Sequence, residues 1–400
     1  MLPEPAASPT PDITPLLAGP GRRAELRDAA RRLSVVDWEL TPRQLCDLDL
    51  LLTGAFSPLT GFLGQADYDS VCRRMRLAGG ALWPMPITLD VADEVARRLG
   101  SGAALALRDG SGELLAVLHV DDVWRPDREA EAEAVFRTTS RHHPGVAHLL
   151  ERTHPWYVGG QLEGLRRPAF SAFGFPGFGS PDFGSMRPGP LELREELARL
   201  GWDRVVAFHT RNPMHRAHFE LTRRAAQNSD AKLLLHPVVG LTKPGDVDAP
   251  TRVRCYQAIL PRYPEGSVRL ALLPMAMRMS GPRDALWNAL IRRNFGCTHY
   301  IVGRDHASPG NDVDGTPFYG PYEAQDILRA HEAETGMATV PFPALVYVPE
   351  IDRYASEDEV PDGWETRTVS GTEVRAMLAG GGDIPEWISF PEVATALRAV

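Results

Sequence analysis

Two histidines three residues apart, His215 and His218, follow the apolar run "DRVVAF" (203–208) in the stretch "HTRNPMHRAHFELTRRA". With Asn212 as N-cap and Pro213 as the first helical residue, both imidazoles are predicted on the first turn of a helix. A helix N-terminus presents free N–H groups and the positive end of its dipole, which favours phosphate. Two imidazoles there can donate to a polyphosphate. Arg211, just before them, adds a fork of donors suited to an oxyanion. The H-x-x-H spacing alone also suits a metal pair or arises by chance; its place directly after a strand favours phosphate. A second loop, "VGRDHASPG" (302–310), offers Gly303 for close backbone approach, with Arg304 and His306 to reach an anion or a base edge. Taken alone, its Arg–Asp pair reads equally well as structural. "HPVVGLTKPGD" (236–246) contributes Lys243, and "MRMSGPRDA" (277–285) contributes Arg278 and Arg283. Four such loops converging on one sheet edge point to a nucleotide site.

The elements that must position these loops alternate after residue 190. Helices are predicted over 191–200, 213–227, 251–262, 282–295 and 321–335. Strands are predicted at 203–208, 232–239, 268–274, 299–303 and 344–349. This rhythm implies a parallel sheet with helices on both faces, whose ligands sit beyond the carboxyl ends of the strands. Before it, a short helical pattern over 24–33 and another over 129–136 flank several short runs in 81–124, which read as a mostly β domain. Residues 1–20 hold six prolines and are expected to form a loose head. Five Phe, five Gly and five Pro fill 15 of the 23 positions in 168–190, too irregular for helix or strand. That segment reads either as a linker packed by its aromatics or as a loop over a ligand surface. Ser370 to Glu373 forms a capping box that opens a last helix.

Composition removes several function classes. The chain has 400 residues and a net charge of −9, which argues against bulk binding to nucleic acid or anionic membrane. Only Lys232 and Lys243 are lysines among 43 basic residues, a bias of coding or of anion recognition. Cys46, Cys72, Cys255 and Cys297 form no C-x-x-C pair, so neither a disulfide framework nor a structural zinc site is expected. No apolar stretch of about 18 residues occurs, and no secretory leader is predicted, so the expected compartment is the cytoplasm. No Gly–Lys dipeptide exists, which excludes a P-loop kinase. No G-x-G-x-x-G follows the first strand, which disfavours a dinucleotide oxidoreductase.

The assembled motifs resemble those of the ATP sulfurylase (sulfate adenylyltransferase) family. They are "LTPRQLCDLDLLLTGAFSPLTGFL" (40–63), "TRNPMHRAH" (210–218), "HPVVGLTKPGD" (236–246), "LLPMAMRMSGPRDALWNALIRRNFGCTHYIVGRDHA" (272–307), "YGPYEAQ" (319–325), "SGTEVR" (370–375) and "IPEWISFPEV" (384–393). The resemblance implies a head (1–20), a PUA-like β-rich domain (21–167), the Phe/Gly/Pro connection (168–190), a Rossmann-like nucleotidyltransferase domain with a parallel sheet (191–345) and a small C-terminal lobe (346–400). The implied reaction joins MgATP and sulfate to give adenosine 5′-phosphosulfate (APS) and pyrophosphate. Thr210, Arg211 and Asn212 would form the catalytic trio, with Arg211 holding sulfate. Asn212, His215 and His218 would grip the phosphate chain, and Gly303, Arg304, Asp305, His306 and Leu345 the nucleotide. His209 and Ala307 would complete the sulfate pocket. Mg²⁺ would arrive with ATP, with no metal bound by the protein itself, and the family's habit implies a homo-oligomer, a dimer or larger.

Three departures stand out. Position 209 is His where the family usually has Gln, position 308 is Ser where Gly is common, and Leu345 replaces a Val. His209 leads to the expectation that the sulfate KM rises with pH near its pKa. The connection 168–190 is longer than the family's. The chain ends after the C-terminal lobe, so APS kinase activity is not expected. Two other readings stay open: an adenylyltransferase with shifted oxyanion preference, and a catalytically dead nucleotide-binding regulator.

Overall fold

The computed structural model describes residues 11–31, 35–173, 181–243, 245–342, 345–368, 373, 377 and 384–398. Among them three sheets form. The first is built from β1 (Val36–Glu39), β2 (Gly61–Phe62), β3 (Leu89–Val91), β4 (Ala104–Arg108), β5 (Leu114–Trp124) and β6 (Trp156–Gly164). Its order is β1-β4-β5-β6-β2, with β3 also on β6. Only β1 and β4 run parallel; the other pairs are antiparallel. Of the runs predicted in 81–124, "ALWPMPITLDV" forms a strand only at its end, because Pro84 and Pro86 cannot donate to a ladder. Leu16 N–H donates to the Leu52 carbonyl at 3.0 Å and Leu17 bridges Gly164, so this part of the expected loose head is pinned to the first sheet. The predicted helices near 24–33 and 129–136 are seen as Pro20–Ala30 and Arg128–Phe136.

Helix Pro42–Leu52 joins the two halves of the molecule. It starts on a capping box: Thr41 accepts from Gln44 N–H, and the Gln44 amide oxygen accepts from Thr41 N–H. Every residue from Gln44 to Leu52 is buried. Asp47 meets Arg278 of the second half at 2.6 Å, and Asp49 takes both arms of Arg167 at 2.8 and 2.9 Å. Both pairs are shielded from water, so loss of one partner strands a buried charge. Phe56 packs on Trp287 at 5.3 Å between centroids. Arg187, in the Phe/Gly/Pro segment, lies 4.6 Å over the buried Phe170 ring. The described parts of that segment are a 3₁₀ turn at Phe170–Phe173 and a helical turn at Pro181–Gly184.

The second sheet is fully parallel: β7 (Val205–Phe208), β8 (Lys232–Leu235), β9 (Val268–Leu270), β10 (His299–Val302) and β11 (Ala338–Pro341). Its order is β11-β10-β7-β8-β9. After β7 the chain winds one way and after β10 the other, so the switch point lies between these two neighbours. Two sequence expectations need correction. The strand predicted at 344–349 is not in this sheet: β12 (Leu345–Val348) pairs antiparallel with β13 (Arg353–Ser356) in a separate hairpin. Its place at the sheet edge is taken by β11, whose four residues gave too short an apolar run to be read. The helix predicted from 213 begins three residues later, as Arg216–Asn228 with His215 as N-cap. Asn212 and Pro213 stay in the loop because Asn212 is tied at both backbone ends, its N–H to Thr210 Oγ1 at 3.1 Å and its carbonyl to Tyr256 Oη at 2.8 Å. The capping box at 370–373 falls mostly outside the described residues.

Candidate active site

β7 delivers His209 and Thr210 to the carboxyl edge of the sheet while the ladder continues beside them. His236 N–H donates to the Phe208 carbonyl and Val238 N–H to the Thr210 carbonyl, both at 3.0 Å. Helix Ala249–Ile259 locks the following loop from behind. The buried Arg252 donates to the carbonyls of Arg211 at 3.1 Å and Val238 at 2.7 Å. The backbone of Thr210–Asn212 is therefore fixed, while its side chains face an open cleft.

β10 delivers Gly303 to Ser308 on the other side of the switch point. Asp305 (φ 54°) and Ala307 (φ 56°) adopt left-handed backbone, a strained pair of the kind that marks functional turns. Arg304 and Asp305 are exposed and lean on each other at 3.3 Å. Between the two loops lies a cleft of about 500 Å³. His209, Thr210, Arg211, Asn212, His215, His218, Gly303, Arg304, Asp305, His306, Ala307 and Leu345 all line it. Every site residue that the family resemblance implied is thus brought to one place. A cleft of similar size, about 520 Å³, lies by Trp202 and Lys232 at the amino ends of the strands, the wrong end for a parallel-sheet ligand.

Not all four loops contribute as expected. Lys243 does not line the cleft; its ammonium donates to the Pro309 carbonyl at 3.1 Å. Arg278 is consumed by Asp47, and Arg283 donates to the carbonyls of Val71, Cys72 and Pro84. Both hold the halves together, and only Met277 of that loop reaches the cleft. None of the described residues of 168–190 lines it.

The imidazoles are neutral in the free protein. His215 and His218 lie with ring centroids 3.9 Å apart; burial lowers His218 to about 4 and, with His218 beside it, holds His215 well below the ordinary range. Burial and Arg292 lower His306 to about 4. Burial, followed by the Arg292 charge, holds His209 far below the ordinary range as well. Arg292 Nη2 donates to His209 Nδ1 at 2.8 Å, which leaves the proton on Nε2. That nitrogen is buried without a partner among the described residues. The expected rise of sulfate KM with pH at His209 is therefore withdrawn: the ring carries no charge to lose near neutrality.

Three residues that sequence reasoning missed shape the site. Asp246 takes Arg211 Nη1 on both oxygens at 2.5 and 2.6 Å and also accepts the Lys243 N–H at 3.0 Å. Arg252 fixes the loop, and Arg292 sets the His209 tautomer. Asp246 lies in the stretch 236–246 already singled out; Arg252 and Arg292 sit inside helices and give no local signal. Among the described residues, no three His, Cys, Asp or Glu side chains cluster to hold a metal ion, and no helix is long and apolar enough to cross a membrane.

A parallel sheet with oxyanion donors at its switch point defines an enzyme domain that handles nucleotide phosphates. The sequence profile described as ATP-sulfurylase matches residues 184–400, and that described as PUA-like domain matches 9–167. Proteins named sulfate adenylyltransferase are 50% identical in Eremothecium gossypii (90% of this chain, 70% of that protein) and 50% identical in Saccharomyces cerevisiae (94% and 72%). A solved structure entitled "Hexameric APS kinase from Thiobacillus denitrificans" aligns at TM-score 0.76 and 33% identity, over 96% of this chain and 66% of that one. The chain belongs to the ATP sulfurylase family.

Proposed function

We propose that the chain transfers the adenylyl group of MgATP to sulfate, giving APS and pyrophosphate, reversibly. A sulfate oxygen attacks the α-phosphorus. The bond from that phosphorus to the bridging oxygen breaks, and pyrophosphate leaves opposite with the electron pair. Sulfate is already an anion, so no general base is required. The difficulty is bringing two anions together, which positioning and charge neutralisation solve.

The observation that carries this reading is Arg211 at the carboxyl end of β7, facing the Gly303–Ala307 turn of β10 across one cleft. On this reading Arg211 grips sulfate, helped by His209 Nε2–H and the Ala307 backbone. Thr210 and Asn212 steady the reacting phosphate. His215 and His218 hold the β- and γ-phosphates. Gly303, Arg304, Asp305, His306 and Leu345 seat the nucleoside end. Mg²⁺ enters as part of the substrate, bound by phosphates and water. We take residues 346–400 as a small C-terminal lobe. The buried, free cysteines fit a cytoplasmic setting. A homo-oligomer fits the hexamer named for the structural relative; light scattering tests it.

Pyrophosphate release from MgATP and sulfate, with selenate and molybdate run beside it, tests the reaction. Turnover with sulfate that is lost in Arg211→Ala supports the reading. His209 in place of Gln favours one alternative, a shifted oxyanion preference, and molybdate clearly exceeding sulfate would establish that instead.

A further inference from the structure

A second cavity, of about 450 Å³, lies between the two halves of the molecule. Its walls come from the start of helix Pro42–Leu52, from helix Pro144–Glu151 and from the loops at 241–243 and 276–279. Five groups of cationic type line it: Arg43, His148, Arg152, Lys243 and Arg278. Arg43 and Arg152 make no side-chain hydrogen bond or ion pair among the described residues, and Lys243 has only the Pro309 carbonyl. Asp90 at the rim and Asp47 beside Arg278 partly offset the Arg43 charge, but no carboxylate forms a direct ion pair with Arg43 or Arg152 among the described residues. Asp90 is engaged by the Gln44 amide and His154 N–H, and Glu151 faces Arg141 at 3.8 Å. Arg278, also in the wall, is spent on Asp47. The remaining wall is apolar, chiefly Leu241, Met277 and Met279.

Holding the half-buried Arg43 guanidinium without a direct partner beside Arg278 costs stability. The local field is strong enough that Arg43, before burial, Arg278 and Arg152, keeps the His148 imidazole from protonating. Burial and Arg278 likewise lower Arg43 to about 10. A bound oxyanion is the partner this arrangement lacks. Arginine offers the planar fork that matches phosphate or sulfate oxygens.

We propose that this cavity is a second anion site, adjoining the reaction cleft at Met277, that takes the phosphate or sulfate group of a small organic ester. Arg43 and Arg152 grip the oxyanion, and the Leu241–Met277–Met279 wall receives the organic part. The volume exceeds that of a lone tetrahedral anion, and the apolar wall gives an ester an advantage over the free ion.

Calorimetric titration at constant ionic strength tests this. The Arg211→Ala protein, which lacks the main anion grip of the reaction cleft, is titrated with phenyl phosphate and with inorganic phosphate. The same titrations follow after adding Arg43→Gln or Arg152→Gln. Phenyl phosphate is expected to bind, to bind more tightly than inorganic phosphate, and to lose at least about tenfold in affinity with either added substitution. In anion-free buffer Arg43→Gln is expected to raise Tm by about 2 °C, because it relieves repulsion. Absence of binding, or binding indifferent to both substitutions, overturns the site. Equal affinity for inorganic phosphate overturns the ester assignment. A lower Tm for Arg43→Gln makes Arg43 structural and overturns its role. Arg152 is exposed, so its substitution keeps the test decisive should the Arg43 variant not fold.

Discussion

At the scale of single residues, the free site holds its key cation in check. Arg211 is four-fifths buried and, among the described side chains, bonds only Asp246, so sulfate gripped as proposed would share or displace that carboxylate. Asp246→Asn keeps an acceptor but removes the charge that aims the guanidinium. Sulfate kcat/KM is expected to fall about tenfold, with ATP binding little changed; unchanged sulfate kinetics would remove Asp246 from the account. On the proposed reading His209 donates to sulfate from Nε2, its Nδ1 being occupied by Arg292. His209→Gln offers Arg292 an amide oxygen and sulfate an amide N–H, so activity should stay within about threefold. The sulfate KM of both proteins should be flat between about pH 6 and 8; a slope in the wild type that the Gln protein lacks would show a charged ring. The polar residues that line the cleft were legible because they are clustered and directly follow strands. Arg252 and Arg292 were not, since a buried arginine inside a helix has no sequence signature apart from its partners.

At the scale of elements, the site depends on loops packed so closely that a methyl group does not fit. A Cβ on Gly240 would meet the Met275 carbonyl oxygen at 2.2 Å, between the loops that carry Asp246 and Met277. Gly240→Ala is expected to destabilise by roughly 2 kcal/mol or more, read as a lower urea midpoint, and to weaken sulfate turnover as well. Full stability and activity would mean that these loops yield easily. Strand–helix alternation gave four of the five parallel strands, because buried parallel strands read as short apolar runs. The fifth was misassigned. "ALVYVP" has the stronger β pattern, yet Asp352, at φ 46°, turns the chain back so that β12 pairs with β13. "ATVP" is short and weak alone but fills the edge beside β10. Pairing at an edge is decided by what tertiary structure leaves open, which periodicity does not encode. The late start of helix Arg216–Asn228 has the same origin: Tyr256, far along the chain, holds Asn212 in the loop.

At the scale of the whole molecule, burial lowers the pKa of His143, His209, His215, His218, His236, His299 and His306, and the Arg43 charge followed by burial lowers that of His148, eight of the 12 histidines. The unfolded chain takes up protons at these rings near the ordinary 6.5, whereas folded His143, His218, His299 and His306 do so near 4. Acid therefore favours the unfolded state. Stability should fall as pH drops from about 6.5 towards 4, by up to roughly 1.4 kcal/mol per pH unit for each such ring. Urea midpoints at pH 7.5, 6 and 5 check this, and a constant or rising midpoint contradicts it. The same neutral imidazoles leave Arg211 and Arg304 as the cleft's standing cations, which sharpens the demand on Arg211. The central claim is that Arg211 brings an anion to the α-phosphorus. The most direct measurement mixes the protein with APS, pyrophosphate and Mg²⁺ and follows ATP by luciferase light, with Arg211→Ala alongside. The account predicts ATP from the wild type and at least about a 100-fold lower rate from the variant. No ATP from folded wild-type protein, or equal rates from both, would contradict it.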